Sequence, residues 1–140
     1  MSAEEYAKAI IIAGKAKNVE LALELFTEAI NKRIKTTSIY NALMSVYMFN
    51  GHTAKCQSLF RDLKNEPDCR PTIVTYNILI SVFGRLMLVD HMEATVRGLK
   101  DLGLSPNLST YNHLIAGYVT AWMWNSMEKT FQEMKEGPVS

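Results

Sequence analysis

The sequence predicts an all-α protein, an α-solenoid of about four helix-turn-helix repeats of 34–36 residues. Three observations support this fold class. Tyrosines recur at nearly constant intervals along the whole chain. Apolar residues within each interval fall at i, i+3, i+4 and i+7, which is the spacing of one face of an α-helix. Glycine and proline separate the later intervals, and no stretch alternates apolar and polar residues as a half-buried strand would.

The tyrosines set the register of the repeat. Four of the six are separated by 34, 36 and 35 residues, and each of the other two lies seven residues after one of these four. The register residues are Tyr6, Tyr40, Tyr76 and Tyr111. All six tyrosines therefore occupy two positions of one repeating unit. The single predicted array over 1–140 has repeats at approximately 3–36, 37–72, 73–107 and 108–140.

Each repeat is predicted to contain two helices. In the second repeat, the apolar face of the first helix consists of Tyr40, Leu43, Met44 and Tyr47. The face of the second helix consists of Cys56, Leu59, Phe60 and Leu63. The third and fourth repeats keep both patterns, whereas the first helix of the first repeat is rich in alanine. A helix pair cannot bury such faces alone, so we expect each repeat to pack on its neighbours.

Length and composition indicate one globular domain. The chain has 140 residues, of which 48% are apolar and 21% are charged, and this balance argues against a disordered segment. The formal net charge is +1, which excludes a strongly basic nucleic-acid-binding tail. A local basic stripe remains possible because the field that a ligand meets depends on where the charges lie.

The two cysteines, Cys56 and Cys69, are too few for a disulfide framework and indicate a reducing compartment. His52 lies four residues before Cys56, but a zinc site needs further ligands that the sequence does not offer. No apolar run is long enough for a membrane span. The chain has no secretory signal, and its start is acidic where an organelle transit peptide would be rich in arginine, so we expect this sequence to lack one.

The last repeat is predicted to be incomplete. It stops about two residues short of a full unit, and it offers Trp122 and Trp124 where a terminal repeat would carry a polar cap. We interpret the chain as a piece of a longer array. We also expect some self-association through the repeat that carries Trp122 and Trp124.

The repeat resembles one known family. The third repeat opens with Val74-Thr75-Tyr76-Asn77-Ile78-Leu79-Ile80 and closes with Gly103-Leu104-Ser105-Pro106-Asn107, and the Tyr-Asn pair recurs at Tyr40 and Tyr111. These motifs resemble the pentatricopeptide repeat (PPR) family over nearly the whole chain. The tetratricopeptide pattern, with its Trp, Leu-Gly and Tyr in the first helix, occurs in none of the repeats. The first repeat departs most from the family, because Ala7 follows its tyrosine.

The resemblance implies a right-handed superhelix that binds single-stranded RNA, one base per repeat, in a mitochondrion or chloroplast. The residue after the tyrosine and the last residue of the repeat together select the base. The implied base-reading residues are Asn77 with Asn107, Asn41 with Thr72, and Asn112. Ala7 and Thr36 of the first repeat resemble no known reading pair. The pair Asn77 and Asn107 resembles a pyrimidine reader, and Asn41 with Thr72 is a less typical pair that leans towards pyrimidine. The residues implied to pack against the bases are Val74, Ser38 and Ser109.

Each implied role has an alternative. The repeated asparagines suit the first turn of their own helices, and Thr36, Thr72 and Asn107 suit helix N-caps. Lys15 and Arg85 occupy equivalent positions and are candidates for phosphate contacts, although surface charges are usually only solvated. The same solenoid surface would also suit a protein-interaction scaffold. We expect no catalysis, metal, cofactor, small-molecule substrate or membrane partner, because the sequence carries none of the corresponding motifs.

Overall fold

The computed structural model describes residues 1–137, and within that range the chain consists of α-helices and short connections. The helices of this range are α1 (Ala3–Lys15), α2 (Val19–Asn31), α3 (Thr37–Phe49), α4 (Thr53–Asn65), α5 (Ile73–Arg85), α6 (Val89–Asp101), α7 (Leu108–Thr120) and α8 (Trp124–Glu136). They follow one another in pairs, which confirms the predicted helix-turn-helix organisation. Among the described residues, no helix has the length and apolar character that crossing a membrane requires.

The chain divides into two compact units, Met1–Thr75 and Tyr76–Ser140. The first contains α1 to α4, and the second contains most of α5 together with α6 to α8. The interpretation of 1–140 as one array with the stated repeat boundaries stays a prediction. The last three positions of the predicted repeat 108–140 lie outside the described residues.

Polar side chains begin several helices. Ser2 Oγ accepts a hydrogen bond from the backbone N–H of Glu5 at 3.2 Å, and the Glu5 carboxylate accepts one from Ser2 N at 2.9 Å. Thr36 and Asn107 cap α3 and α7 by accepting from the backbone N–H three residues later. The first helix turn has backbone donors without helical partners, so these side chains satisfy groups that would otherwise need water. The predicted N-cap roles of Thr36 and Asn107 are confirmed.

Tight turns with a residue in the left-handed backbone region end most of the helices. After α1, Lys17 N donates to the carbonyl of Gly14 at 3.0 Å, and Asn18 N donates to the carbonyl of Ala13 at 2.9 Å. The residues with positive φ in the described range are Lys17, Arg33, Gly51, Met87, Gly103 and Trp122. Side chains other than glycine pay about 1–2 kcal/mol for this conformation. The backbone at these turns therefore takes the left-handed conformation that ends the helix, even where the residue is not glycine and disfavours that conformation.

α1 packs directly on α3 in the first compact unit. A Cβ atom added at Gly14 would overlap the side chain of Val46, so the two helices approach as closely as their side chains permit. Tyr6 and Ile10 of α1 are completely buried. The phenol of Tyr6 donates to Oε2 of Glu28 at 2.8 Å, which satisfies its polar end at the edge of the core.

The predicted core role of the tyrosines is confirmed for all but Tyr111, which is only half-buried. The buried ones are Tyr6, Tyr40, Tyr47, Tyr76 and Tyr118. The hydroxyl of Tyr40 donates to Glu66 at 3.2 Å. Burial, together with the negative charge of Glu66, raises the pKa of Tyr40 to about 12. This phenol therefore stays a neutral hydrogen-bond donor at physiological pH.

The second helices are buried less evenly. Ala22, Cys56 and Met92 occupy equivalent positions and are completely buried, as the periodicity predicts. α8 packs on α7, but Thr130 is the buried residue of that helix and Phe131 is 44% exposed. The periodicity places Phe131 on the apolar face of its helix, and that part of the face is not covered in the described residues.

α5 and α7 approach closely in the second compact unit because both carry glycine at the contact. A Cβ atom added at Gly84 would lie 3.1 Å from Cα of Gly117. A Cβ atom added at Gly117 would lie 3.2 Å from Cα of Gly84 and would overlap Sδ of Met92, which is itself completely buried. Contacts this short leave no room for a methyl group between the helices.

We predict that Gly117→Ala lowers the free energy of unfolding by about 1–3 kcal/mol, because the added methyl overpacks this contact. Urea unfolding followed by circular dichroism measures the change. Gly98→Ala is the matched control, since its added Cβ would lie 3.6 Å from the ring of Tyr76, an ordinary contact. Alanine favours a helix interior over glycine, so Gly98→Ala is expected to raise stability by about 1 kcal/mol. Equal effects of the two substitutions would contradict this account of the contact.

Candidate nucleic-acid interface

Asn41 joins the first helix of the second repeat to the start of the third. Its Oδ1 accepts a hydrogen bond from the hydroxyl of Thr75 at 2.6 Å, and its Nδ2 donates to the hydroxyl of Thr72 at 3.3 Å. The backbone N–H of Thr72 also donates to the Thr75 hydroxyl at 3.0 Å. Asn41 and Thr75 are buried, whereas Thr72 is exposed. Two residues predicted to read one base, Asn41 and Thr72, therefore lie in direct contact.

The same arrangement recurs one repeat later, in the second compact unit. Oδ1 of Asn77 accepts from the hydroxyl of Thr110 at 2.6 Å, and Nδ2 of Asn77 donates to Oδ1 of Asn107 at 3.0 Å. Asn107 Oδ1 also accepts from the backbone N–H of Thr110 at 3.0 Å, which makes it the cap of α7. The predicted pair Asn77 and Asn107 is therefore brought together by a hydrogen bond between their amides.

These bonds test the structural alternative to base reading, in which the asparagines support the first turn of their own helices. Asn41 and Asn77 bond to residues 30–34 positions later in the chain, at the N-cap and in the first turn of the following repeat. The alternative, that these amides support the first turn of their own helices, is wrong for both residues.

The network leaves a defined set of hydrogen-bonding groups unused. Within residues 1–137, the side-chain hydrogen bonds of Asn107 all involve Oδ1, so both hydrogens on its Nδ2 are available. Asn107 is half-buried, and Asn77 is 6% exposed. Asn77 keeps one Nδ2 hydrogen and one Oδ1 lone pair beyond the bonds it makes. The exposed edge of the Asn77–Asn107 pair therefore presents hydrogen-bond donors, and the hydroxyl of Thr110 holds the two amides in place.

The other repeats differ at this position. In the first repeat Ala7 has no amide. At the start of the second repeat, Ile39 stands at the position that Thr75 and Thr110 occupy in the third and fourth. There Thr36 Oγ1 caps the helix and lies 3.0 Å from the hydroxyl of Ser38. In the fourth repeat Asn112 is exposed, and the described residues include no hydrogen bond from its side chain. The amide-hydroxyl network therefore belongs to the second and third repeats.

The remaining predicted contact residues lie at the surface. Val74 is 53% exposed in the first turn of α5, and Ser38 and Ser109 are exposed in the first turns of α3 and α7. Lys15 and Arg85 are both exposed in the last turns of α1 and α5. Each of these residues is placed where a ligand could reach it, and their roles stay predictions.

The sequence interpretation missed Thr75 and Thr110 as functional neighbours. Both immediately precede a register tyrosine, so the recurring Thr-Tyr-Asn motif carried the signal. Their hydroxyls hold the asparagine that precedes them by one whole repeat, at Asn41 and Asn77. A contact over this separation cannot be inferred from helical periodicity alone.

The candidate metal ligands do not form a cluster. In the part of the chain that the structure describes, no three His, Cys, Asp or Glu side chains are grouped as metal ligands. Cys56 is completely buried, and burial raises the pKa of its thiol to about 12. The thiolate that zinc or a nucleophilic reaction requires is therefore strongly disfavoured at this position.

Comparison with known families identifies the repeat. A profile described as the PPR repeat family matches residues 35–85, a PPR repeat profile matches residues 74–104, and a pentatricopeptide repeat domain profile matches residues 95–140. The chain belongs to the pentatricopeptide repeat family. The family resemblance carried by the Thr-Tyr-Asn motifs is thereby confirmed.

Relatives in Arabidopsis thaliana are longer than this PPR chain. It is 58% identical to pentatricopeptide repeat-containing protein At2g30780 over 76% of its own length and 24% of the relative's. It is 51% identical to At2g48000 over 76% of its length and 22% of the relative's, and 35% identical to At5g48730, chloroplastic, over 92% and 26%. The chain thus spans about a quarter of the length of the curated relatives it matches.

Solved PPR structures share the fold. The whole chain matches 20% of PPR10 in complex with an 18-nt psaJ RNA element, with a TM-score of 0.84 at 24% sequence identity. It also matches PPR10 from maize over 94% of this chain and 19% of that one, with a TM-score of 0.76 at 22% identity. This likeness confirms the predicted helical-repeat solenoid fold.

We predict that Asn77→Ala lowers the free energy of unfolding by about 1–3 kcal/mol, because the buried hydroxyl of Thr110 loses its acceptor. Chemical denaturation measures the change. Asn112→Ala removes the same amide at the equivalent position of the fourth repeat, where it is exposed. The expected effect of Asn112→Ala is within about 0.5 kcal/mol. An Asn77→Ala variant with an unchanged free energy of unfolding would show that the network makes no net contribution to stability.

Proposed function

We propose that this PPR chain binds single-stranded RNA sequence-selectively, with one base at each repeat boundary and without catalysis. The observation that carries the proposal is the amide pair of Asn77 and Asn107, whose donors line one exposed edge. PPR10, which shares the fold, is described in complex with an RNA element, and this likeness supports RNA as the ligand class. The cellular role is organellar RNA processing, splicing, stability or translation.

The geometry of the pair suits a base edge. Thr110 holds Oδ1 of Asn77, and the bond to Asn107 orients Nδ2, so the two amides lose little freedom when a base arrives. Preorganised groups bind more tightly because the ordering cost is met during folding. The available hydrogens on Nδ2 of Asn107 match the carbonyl oxygens that uracil and cytosine present on their pairing edges.

The proposed preference for pyrimidines rests on the reading pairs. Asn41 with Thr72 is the less selective pair, because the Thr72 hydroxyl already accepts from Asn41 and offers a base few further groups. Asn112 supplies only one member of a pair. We therefore assign the main selectivity to Asn77 and Asn107, with Asn41 and Thr72 contributing to a lesser degree.

Base stacking and positive charge are expected to contribute modestly to the affinity for RNA. Aromatic platforms give about 1–3 kcal/mol for each base, and Val74, Ser38 and Ser109 offer less contact area than an aromatic ring. Lys15 and Arg85 supply positive charge at equivalent positions, but the net charge of the chain is only +1. We expect weak, salt-sensitive binding by this chain alone.

The proposed location is an organelle, either the mitochondrion or the chloroplast. Four Arabidopsis thaliana relatives are named chloroplastic, which supports an organellar location in general. Both cysteines are free thiols, in keeping with the predicted reducing compartment.

We predict that Asn107→Ser weakens binding of a short U/C-rich RNA by about tenfold, equivalent to about 1.4 kcal/mol. Serine suits the helix N-cap but removes the whole amide, both its Nδ2 donors and the acceptor of the bond from Asn77, so the loss would report on the amide pair. Fluorescence anisotropy at low salt measures the affinity, with an A-rich RNA for comparison.

Asn125→Ala, which removes an exposed amide on α8, is the control and is expected to leave the affinity unchanged. In wild type the logarithm of the binding constant should fall with the logarithm of salt concentration, by about 0.7 for each phosphate contact. An affinity that is the same for the U/C-rich and A-rich RNAs, and the same for wild type and Asn107→Ser, would overturn the assignment of these residues.

A second role, as a protein-interaction scaffold, is favoured by one observation. Two turns of the second compact unit expose consecutive large apolar side chains. These residues, which we call the apolar turn surface, are Leu86, Met87, Leu88, Trp122, Met123 and Trp124. The turns follow α5 and α7, whose ends lie side by side at Gly84 and Gly117.

We propose a second copy of the chain as the occupant of the apolar turn surface. Trp122 is 76% exposed, and its ring meets that of Trp124 edge-on at a centroid distance of 5.8 Å. The six side chains expose roughly 600 Å² of apolar area. A standard interface buries about 800 Å² on each partner, so two such surfaces facing each other nearly suffice for a dimer.

We predict that Trp122→Gly converts a concentration-dependent dimer to a monomer, as measured by analytical ultracentrifugation. Trp122 has a φ of 60°, so glycine relieves backbone strain while removing the ring, and the variant is expected to fold at least as stably as wild type. Leu102→Ala, at an exposed apolar residue in a different turn, is the control. A wild type that stays monomeric at high concentration, or a Trp122→Gly variant that still dimerises, would contradict this role.

A further inference from the structure

The two amide-hydroxyl networks differ in the group that the asparagine amide meets just before the next first helix. Asn77 donates through Nδ2 to an amide oxygen, Oδ1 of Asn107, at 3.0 Å. Asn41 donates through Nδ2 to a hydroxyl, Oγ1 of Thr72, at 3.3 Å. An amide oxygen only accepts hydrogen bonds, whereas a hydroxyl can either donate or accept. The two networks therefore constrain the direction of the asparagine amide differently.

The direction of the Asn77 amide is fixed by two groups. The backbone N–H of Thr110 donates to Oδ1 of Asn107 at 3.0 Å, and a backbone N–H serves only as a donor. The place of this oxygen is therefore fixed, and Asn77 must meet it with Nδ2. The hydroxyl of Thr110, which donates to Oδ1 of Asn77 at 2.6 Å, favours the same direction. Loss of that hydroxyl alone would leave the amide of Asn77 oriented by Asn107.

The direction of the Asn41 amide depends on Thr75. The hydroxyl of Thr72 suits either end of the amide, because it can accept from Nδ2 or donate to Oδ1. The hydroxyl of Thr75 accepts from the backbone N–H of Thr72 at 3.0 Å and donates to Oδ1 of Asn41. The latter distance is 2.6 Å, which lies in the range of O–H···O hydrogen bonds and below that of N–H···O bonds. Thr75 therefore holds the oxygen of Asn41 and leaves Nδ2 on the side of the exposed Thr72.

Burial makes this direction stable before any ligand arrives. Thr75 is completely buried, and Asn41 is 8% exposed, so water has little access to replace the bond between them. A reversed amide would face the Thr75 hydroxyl with Nδ2 and would leave the hydroxyl hydrogen without this acceptor. An unpaired polar group at a buried position is costly. The reversed direction is therefore strongly disfavoured.

The first repeat boundary shows the converse arrangement. Ala7 has no amide to direct, and the position equivalent to Thr75 is occupied by Ile39, which is also completely buried. The hydroxyl thus occurs where an asparagine amide faces it and is replaced by an apolar side chain where none does. This correspondence within one chain supports a link between the hydroxyl and the amide.

We propose that Thr75 is a positioning residue for base selection: its buried hydroxyl fixes the Asn41 amide so that the Nδ2 donor, and not the Oδ1 acceptor, faces the RNA base. The inference rests on the proposed RNA-binding function and deepens it, because it assigns the base preference at Asn41 to a residue too buried to touch a base. An Nδ2 donor matches a carbonyl oxygen of uracil, whereas an Oδ1 acceptor would match the amino group of adenine. An amide that turns freely would bind either base.

The test compares the binding of oligouridine and oligoadenosine by fluorescence anisotropy at low salt. Thr75→Val removes the hydroxyl at nearly constant volume and is expected to lower the wild-type preference for oligouridine about threefold. Thr110→Val removes an equally buried hydroxyl that also holds an asparagine oxygen at 2.6 Å. It is expected to lose as much stability as Thr75→Val in urea unfolding but to keep the preference, because Asn107 still orients Asn77.

Two further variants separate the direction of the amide from packing. Thr75→Ser keeps the hydroxyl and is expected to keep the preference. Thr72→Asn places an amide immediately before α5, as Asn107 lies immediately before α7, and should make the preference insensitive to Thr75→Val. A purely structural role for Thr75 predicts no such rescue. Thr27→Val, at an exposed residue of α2, is the control and should change neither stability nor preference.

NMR of the Asn41 side chain supplies a readout that needs no RNA. In wild type, nuclear Overhauser effects should join the Nδ2 protons to Thr72, and Thr75→Val should weaken them as the amide samples both directions. A wild-type amide with Nδ2 facing Thr75 would overturn the inference. A preference that survives Thr75→Val, or that falls equally in Thr110→Val, would also overturn it and leave the proposed function intact. Absence of binding to both RNAs would overturn both.

Discussion

The close approach of successive first helices is the constraint on which the other features depend. In the first compact unit it is made by Gly14 against Val46, and in the second by Gly84 against Gly117. A helix pair has no core of its own, so these contacts decide how near one repeat lies to the next. That distance in turn decides which side chains of neighbouring repeats can touch. Asn77 meets Asn107 and Thr110 only because the helices that carry them are held this close.

The amide-hydroxyl network gives the same residues a structural and a proposed recognition role. Thr110 is completely buried, and its hydroxyl is satisfied by Asn77 from the preceding repeat. An unpaired buried hydroxyl is costly, so the network penalises the loss of either partner. The same bonds also orient the amides before a ligand arrives. The proposed function therefore couples stability and base selection at Asn77, whereas it leaves them separable at the exposed Asn112.

The sequence predicted the fold well because its evidence is local and repeated. Tyrosine spacing and apolar periodicity placed the helix pairs, and side-chain chemistry identified the caps at Thr36 and Asn107. The site was predicted less completely. Asn77 and Asn107 were paired by family resemblance, but the hydroxyl that holds them was not foreseen, because it joins residues 33 positions apart. Periodicity also identifies the apolar face that carries Phe131 without showing how much of that face another helix covers, and the structure leaves Phe131 exposed.

Differences among the repeats carry information that the shared pattern does not. Val46 in the first compact unit and Gly117 in the second stand at equivalent positions, yet Val46 packs its side chain against Gly14, whereas Gly117 brings its backbone against Gly84 and Sδ of Met92. Because the surrounding backbone is the same kind of helix pair, a single side chain accounts for the difference. A repeat protein can thus vary the packing at one position of a shared pattern while the helices that build it stay the same.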